Sequence, residues 1–481
     1  MKKNLIYVSL SLVLLGTSGC EKLKDFEDTN LDPAATTQPV VQALLTNAEV
    51  SIGGYAANTR AGLYAQYFSE TQYTDVSLYS TPQLAFTGEY AGVLTDLQIV
   101  KNVNSSNNMT QVANILQQYV FWTITNRWGD VPYSEALQGA SKTTPKYDKQ
   151  EDIYKGMIAQ LKASVAAFDG TSVIQGDVIF NGDVASWKRA ANSLRMLMAI
   201  QLSKRYPLAT GLNNYAAIAF KEALDDAAGY ISTNAQNFTV AYPGGNFKNN
   251  WYNVYDGRKD YGESKTMTDL MSSLGDTRQL AFGGVTQDQT AANAAVTSSV
   301  GVPYGVKRAT AEAFTSANTG WARILRGDFR TQSSALVIVS AAEVALARAE
   351  AANLGWTSEN LSTVYNAGIT LSFAQWGIAV PANYLTGVAV GAVGVAGNDA
   401  KIATQRYIAS YPDGLQAWNI WRKSGYPALT PAVDATNTGG LIPRRYTYAS
   451  AEATSNGVNN AAAVALITGG DKQDSKVWWD N

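Results

Sequence analysis

The chain has 481 residues, a net charge of −2, no histidine and one cysteine. Without histidine there can be no Ser-His-Asp or Cys-His catalytic site and no imidazole zinc site, and a lone cysteine can form neither an internal disulfide nor a cysteine-held cluster. The mild acidity argues against a nucleic-acid partner. With 16% charged and 10% aromatic residues, the chain has the composition of a folded body rather than a disordered one.

Lys2 and Lys3 precede an apolar run, Leu5 to Leu15, that closes in Gly16-Thr17-Ser18-Gly19-Cys20. A positive start, a short apolar stretch and a small-residue end make an export signal. As a helix the run spans roughly 16 Å, about half of a bilayer core, so it does not read as a permanent membrane span. The only cysteine stands where a bacterial lipobox places its lipidated residue, although Thr17 occupies the position three before it where Leu is usual. Residues 1–19 therefore read as a lipoprotein signal peptide. Residues 20–33 read as the lipidated Cys20 and a polar tether bearing Asp25, Glu27, Asp28 and Asp32, and residues 34–481 as one binding body. Several acyl chains together make such an anchor stable.

Helical signals dominate the body. Helices are predicted over 36–50 and 108–125, and over 150–168, where Ile153, Met157, Leu161, Val165 and Phe168 form one stripe. Another is predicted over 186–206, stopped by Pro207, and another over 213–229, ending near Gly229. Ser340-Ala-Ala-Glu343 has the form of a capping box opening a helix at 341–354. Ser358 to Trp376 comes after a short link, which makes a helical hairpin. A single helix is predicted over 400–424, with Trp418 and Trp421 on one face. The segments 51–95, 236–335 and 377–400 lack the helical period. Leu336 to Val339 has strand character, but strands do not alternate with helices, so a parallel-sheet fold is not expected.

The corner Asn126-Arg127-Trp128-Gly129-Asp130-Val131-Pro132 can be a site loop or a rigid turn with inward-packed rings. The packing reading is favoured there, and likewise for the aromatic run Tyr407 to Pro427. The adjacent Trp478 and Trp479 read as docking the chain end. No phosphate-loop sequence occurs, and no cofactor is expected. No EF-hand spacing is present, which leaves metal binding open.

Five stretches carry a family resemblance: Asn126–Leu137, Glu343–Trp356 with Tyr365–Gly377 after it, Tyr407–Pro427, Ile442–Tyr448 and the terminal Trp478-Trp479-Asp480-Asn481. In this order, and together with the signal segment and Asn30-Leu31-Asp32-Pro33, they resemble the SusD/RagB family of Bacteroidetes outer-membrane lipoproteins. Ala349-Glu350-Ala351 is similar to that family's Ala-Glu-Ala helix. The resemblance implies a mainly α body of four tetratricopeptide-like helix pairs with long irregular ligand-facing loops. It implies no catalysis. It also implies a SusC-like TonB-dependent transporter as partner and a lipid-anchored, surface-exposed place at the outer membrane. The cargo it implies is an oligosaccharide or, in some branches, a peptide.

The family's ligand residues sit in variable loops, so candidates are chosen by chemistry. Sugars and peptides need aromatic planes interleaved with amides and a few charges. Two segments have that mixture. The first supplies Tyr73, Asp75, Tyr79 and Phe86, and the second supplies Asn250, Trp251, Tyr252, Tyr255 and Arg258, with Trp321 as an addition. Trp251, Tyr252 and Tyr255 are the expected stacking platform; the competing reading is that these rings pin loops to the body. Two further function classes stand beside the receptor. One is a helical glycosidase, since two carboxylates suffice for glycoside hydrolysis. The other is a purely structural partner that assembles or gates the transporter.

Overall fold

The computed structural model describes residues 39–80, 83–286 and 293–481. The signal segment, Cys20, the tether and Asn30–Pro33 lie outside the described residues. Gln42–Asn481 form one compact unit. Among the described residues no helix is long and apolar enough to cross a membrane.

The body is mainly α-helical. Its first helix, α1, is Val41–Ser51. Four packed pairs follow along the chain: α2 (Asn107–Trp128) with α3 (Gln150–Ala167), α4 (Val184–Gln201) with α5 (Tyr215–Leu224), α6 (Ala341–Asn353) with α7 (Leu361–Gln375), and α8 (Asn398–Ala409) with α9 (Gly414–Ser424). Helix α3 packs on α4, α4 on α6, and α6 on α8, so consecutive pairs share neighbours. Strands are short and come in twos. β1 (Phe68–Glu70) runs antiparallel to β3 (Tyr261–Glu263), with Glu70 opposite Tyr261. β2 (Phe238–Val240) runs antiparallel to β4 (Leu336–Val339) across a bulge.

Local chemistry sets the helix ends. The capping box at α6 forms as its sequence dictates: the Ser340 hydroxyl accepts from Glu343 N at 3.1 Å, and Ser340 N donates back to the Glu343 carboxyl at 2.9 Å. Gly129 closes α2 at φ +89, a conformation that costs a side-chain-bearing residue strain. The corner behind it is structural. Trp128 is buried, Arg127 pairs with Glu89 at 2.9 Å, and the Asp130 carboxylate accepts from Gln150 N at 2.8 Å. Trp479 is buried too, and its indole N–H donates to Asn126 at 3.1 Å.

Three helix extents differ from the sequence reading. The predicted 400–424 helix is two helices. Pro412 has no N–H to donate, and the Asp413 carboxylate caps a new start by accepting from Leu415 N at 2.9 Å and Gln416 N at 3.1 Å. The 186–206 helix ends at Gln201, where Ser203 N and Arg205 N turn to carbonyls three residues back. The 213–229 helix ends at Leu224, because Asp226 draws Ala228 N into a turn at 2.9 Å. The aperiodic 236–335 segment also contains a helix, Lys265–Leu274, capped by Ser264 and stopped by Gly275 at φ +62.

Three of the pairs meet around Glu350. This residue projects from the alanine-rich α6, where small side chains admit close neighbours. At Gly368 of α7, for instance, an added Cβ would lie 2.7 Å from Leu346. The Glu350 carboxylate accepts from Lys423 of α9 and Arg406 of α8, and Ser203 beyond α4 lies at 3.4 Å. Lys423 also donates to the Ile200 carbonyl at 2.9 Å, at the end of α4. Burial alone would raise the Glu350 carboxyl, but the Lys423 and Arg406 charges outweigh it and hold the group below the usual glutamate range. Glu350→Ala leaves two largely buried cations unpaired and is expected to lower unfolding free energy by about 3–5 kcal/mol. Urea unfolding monitored by circular dichroism checks this.

Glu263 of β3 behaves oppositely. Burial pushes its carboxyl up to about 8, against the bond from Gln279 at 2.6 Å. The folded state therefore holds a proton that the unfolded chain releases near the ordinary glutamate value of about 4.3. Its favourable contribution is complete below that value and declines as pH rises to about 8. Glu263→Gln should flatten the fall in stability between pH 5 and 8 by roughly 1.4 kcal/mol per unit. Thermal melts of both proteins across that range measure the difference.

Candidate functional site

The two candidate loops are stitched together. Strand pairing sets β1 against β3, Thr71 N donates to the Asp260 carbonyl at 2.9 Å, and Gln72 donates to the Asp260 carboxylate. The start of the first loop thus runs beside the end of the second. The first loop then turns inward. The Glu70 carboxylate accepts from Ser77 N at 2.8 Å and Ser77 Oγ at 2.9 Å, and burial pushes Glu70 up to about 7.

The candidate residues divide by burial. Tyr79 is fully buried, and its hydroxyl accepts from Ala432 N at 2.9 Å. Phe86 is buried edge-on to Trp128 at 5.6 Å. Trp321 is buried with the Arg323 guanidinium 3.5 Å above its ring. Trp251 packs edge-on to Phe68 at 5.4 Å. Tyr255 lies under Arg330, donates its hydroxyl to the Tyr261 carbonyl at 2.9 Å, and is pushed up to about 12 by burial. These five rings hold loops to the body and offer no face to bulk solvent. Trp251 and Tyr255, spaced i and i+4, are the inward stripe of the short helix Asn250–Tyr255.

The outward residues form an open groove. Gly244 and Gly245, both at positive φ, make a tight turn closed by paired backbone bonds between Gly244 and Phe247 at 3.1 Å. The turn displays Phe247, which is 56% exposed. Asn249 then caps the short helix, accepting from Trp251 N at 2.7 Å, and ties it to the Ser334 carbonyl at 2.8 Å. Phe247, Lys248, Asn246, Asn250 and Asn253 line a groove of about 480 Å³ with Tyr242 and the end of α1. The Tyr242 hydroxyl donates to Asn250 at 2.8 Å, which fixes that amide. Half-buried Tyr252 stands beside the groove, with Lys248 Nζ 5.1 Å from its ring centre and Gln332 donating to its hydroxyl at 3.2 Å. Lys248 bridges to Asp256 at 2.9 Å, and that bond raises the lysine above its ordinary value.

Tyr73, Asp75 and Arg258 are exposed outside this groove. The Arg308 guanidinium lies 5.4 Å from the Tyr73 ring, and Arg258 pairs with Asp260 at 2.8 Å. Tyr242, Lys248 and Asn253 belong to the groove without having stood out in the sequence. The signal that could have found Lys248 is the Gly244-Gly245 turn, which displays the residues directly after it. Among the described residues no group of three or more acidic or cysteine side chains is arranged to hold a metal ion.

Comparison with known proteins matches the architecture. The SusD-like family model described as starch-binding, associating with outer membrane, matches residues 30–449. No curated protein sequence matches the chain. A solved chitin-binding protein superposes with a TM-score of 0.76 at 25% identity, covering 92% of this chain and 99% of its own. A chitin-binding SusD homologue from Flavobacterium johnsoniae gives 0.77 at 21% identity over 92% and 99%. A SusD homologue from Bacteroides uniformis gives 0.76 at 23% over 92% and 100%.

Because Trp251 is core-packed, Trp251→Ala should cost about 3–5 kcal/mol of stability. Denaturant unfolding reads the loss, and a variant as stable as the parent would show that the ring bears on solvent instead.

Proposed function

We propose that this chain, which belongs to the SusD-like family of starch-binding, outer-membrane-associated proteins, is a non-catalytic receptor that captures an oligosaccharide in the Phe247 groove. The observation that carries the reading is the exposed Phe247 ring beside Asn246, Asn250 and Asn253 in one open concavity. A sugar ring presents an apolar C–H face flanked by hydroxyls, which suits a ring surrounded by amides that both donate and accept. The chitin-binding relatives support a carbohydrate cargo. Tyr252 borders the same surface and extends it. Trp251 and Tyr255, which hold the short helix from behind, act as positioning residues. The exposed Tyr73, Asp75 and Arg258 supply a second contact area.

In this reading Cys20 carries the lipid, residues 20–33 are the tether, and the body at 34–481 stands at the cell surface beside a SusC-like TonB-dependent transporter that takes up the released sugar. Acyl-labelling of Cys20→Ala against the parent, and co-purification with the transporter, address those two parts separately.

Phe247→Ala and Tyr252→Ala are each expected to weaken binding of chitohexaose or maltohexaose about tenfold, the size of a single ring contact of ~1.4 kcal/mol. Calorimetric titration measures the change, with chromatography showing the sugar uncut. Full affinity in both variants would move the site elsewhere, and binding of oligopeptides in place of sugars would move the protein to the peptide-binding branch.

A further inference from the structure

A second cavity lies behind the groove. Trp251, from the short helix that also carries Tyr252, lines a pocket of about 400 Å³ together with β4, the end of α7 and the α8–α9 link. Its aromatic surfaces include Trp376, Phe329 and Tyr411. Phe329 stands edge-on to Trp376 at 5.2 Å, so that wall is built before any occupant arrives.

Three buried polar atoms of its lining have no hydrogen-bond partner among the described residues: Trp376 Nε1, Gln375 Oε1 and Asn234 Oδ1. Trp376 itself is only 9% exposed. A buried donor or acceptor left unpaired costs about 1–3 kcal/mol, so such atoms are rare unless something else meets them. Here the residues that carry one N–H donor and two carbonyl acceptors all line one pocket.

The charge of the lining narrows the occupant. No lysine or arginine lines the pocket, so nothing there compensates an anion. Its carboxyls are already engaged. Glu343 accepts from Ser340 N and Oγ, Asp413 from Leu415 N and Gln416 N, and Asp328 is paired with Arg326 at 2.7 Å. Burial also raises both the Glu343 and Asp413 carboxyls, which disfavours the charged form a cation would seek. What stays unmet is neutral: a donor and two acceptors among aromatic rings. The volume sits at the lower end of small-molecule pockets, ~300–1,000 Å³, and suits a short end rather than a running chain.

We propose that this pocket is a second saccharide subsite that takes an uncharged terminal sugar unit, a ring hydroxyl accepting from Trp376 Nε1 and others donating to Gln375 and Asn234. This rests on the carbohydrate reading of the groove and extends it, since the helix carrying Trp251 and Tyr252 links the two places. Recognition then includes a chain end, not only a stretch of polymer.

Trp376→Phe keeps an aromatic ring and deletes the N–H. Ala374→Trp places bulk at an exposed residue of the same lining. Parent and variants are titrated calorimetrically with chitohexaose and maltohexaose, with melting curves checking the fold. The expected result is that both variants bind the preferred sugar about tenfold more weakly at unchanged melting temperature. If Trp376→Phe does not fold, Ala374→Trp decides. A sugar bound with parental affinity by the folded variants overturns the subsite and leaves the groove standing. Failure of the parent to bind either sugar overturns both.

Discussion

A carboxylate at the meeting point of several helices sets the terms for the rest of the molecule. Glu350 reaches from α6 to Lys423 of α9 and Arg406 of α8, and Lys423 reaches on to the Ile200 carbonyl of α4. Each cation is largely withdrawn from water, so each needs the shared anion, and the anion needs both. The cluster fixes the relative placement of successive helix pairs. The alanines around it matter for the same reason, because a bulkier α6 would hold its neighbours too far away for these bonds. The end of α4, before Pro207, is part of this arrangement: the Ile200 carbonyl that accepts from Ser203 N also accepts from Lys423.

On that frame the loops are held by their own buried rings. Trp251 against Phe68, Tyr255 beneath Arg330 and Tyr79 at the Ala432 amide each hold part of a candidate loop to the body. The groove residues are therefore positioned before a ligand arrives. That lowers the ordering cost of binding, which limits affinity in flexible sites. The same logic separates the inner from the outer side of the 250–255 helix. Its i, i+4 pair faces the body, while Asn253 between them is exposed and Tyr252 half-buried.

Much of the frame was legible in the sequence because local chemistry dictates it. Ser340 and Glu343 cap α6 wherever that helix lies, and the apolar stripe of 150–168 specifies a helix irrespective of its neighbours. The break at Pro412–Asp413 was obscured by the strong helical composition on either side, although a proline with a capping aspartate directly after it carries the signal. The Lys265–Leu274 helix was hidden because its inward stripe is little more than Met267 and Met271. The loops were hardest to read. Tryptophan and tyrosine serve equally to pin a loop and to face a sugar, and only the three-dimensional partner decides which. Phe247 faces outward because the Gly244-Gly245 turn projects it; Trp251, four residues on, faces inward because Phe68 is there. The stretches that carry the family resemblance, the Asn126–Asp130 corner, the Glu350 helix and the Trp418 helix, all build the frame. Membership therefore came through clearly while the ligand surface did not.

The most direct test is hydrogen–deuterium exchange of the purified body with and without the preferred hexasaccharide. The account predicts sugar-dependent protection concentrated at 244–256 and at the Ser334–Ser340 and Gln375–Trp376 linings of the inner pocket, with α6, α8 and α9 unchanged. Protection that falls elsewhere on the surface, or that spreads through the Glu350 helices while 244–256 stays unaltered, would contradict a pre-built groove on a rigid frame.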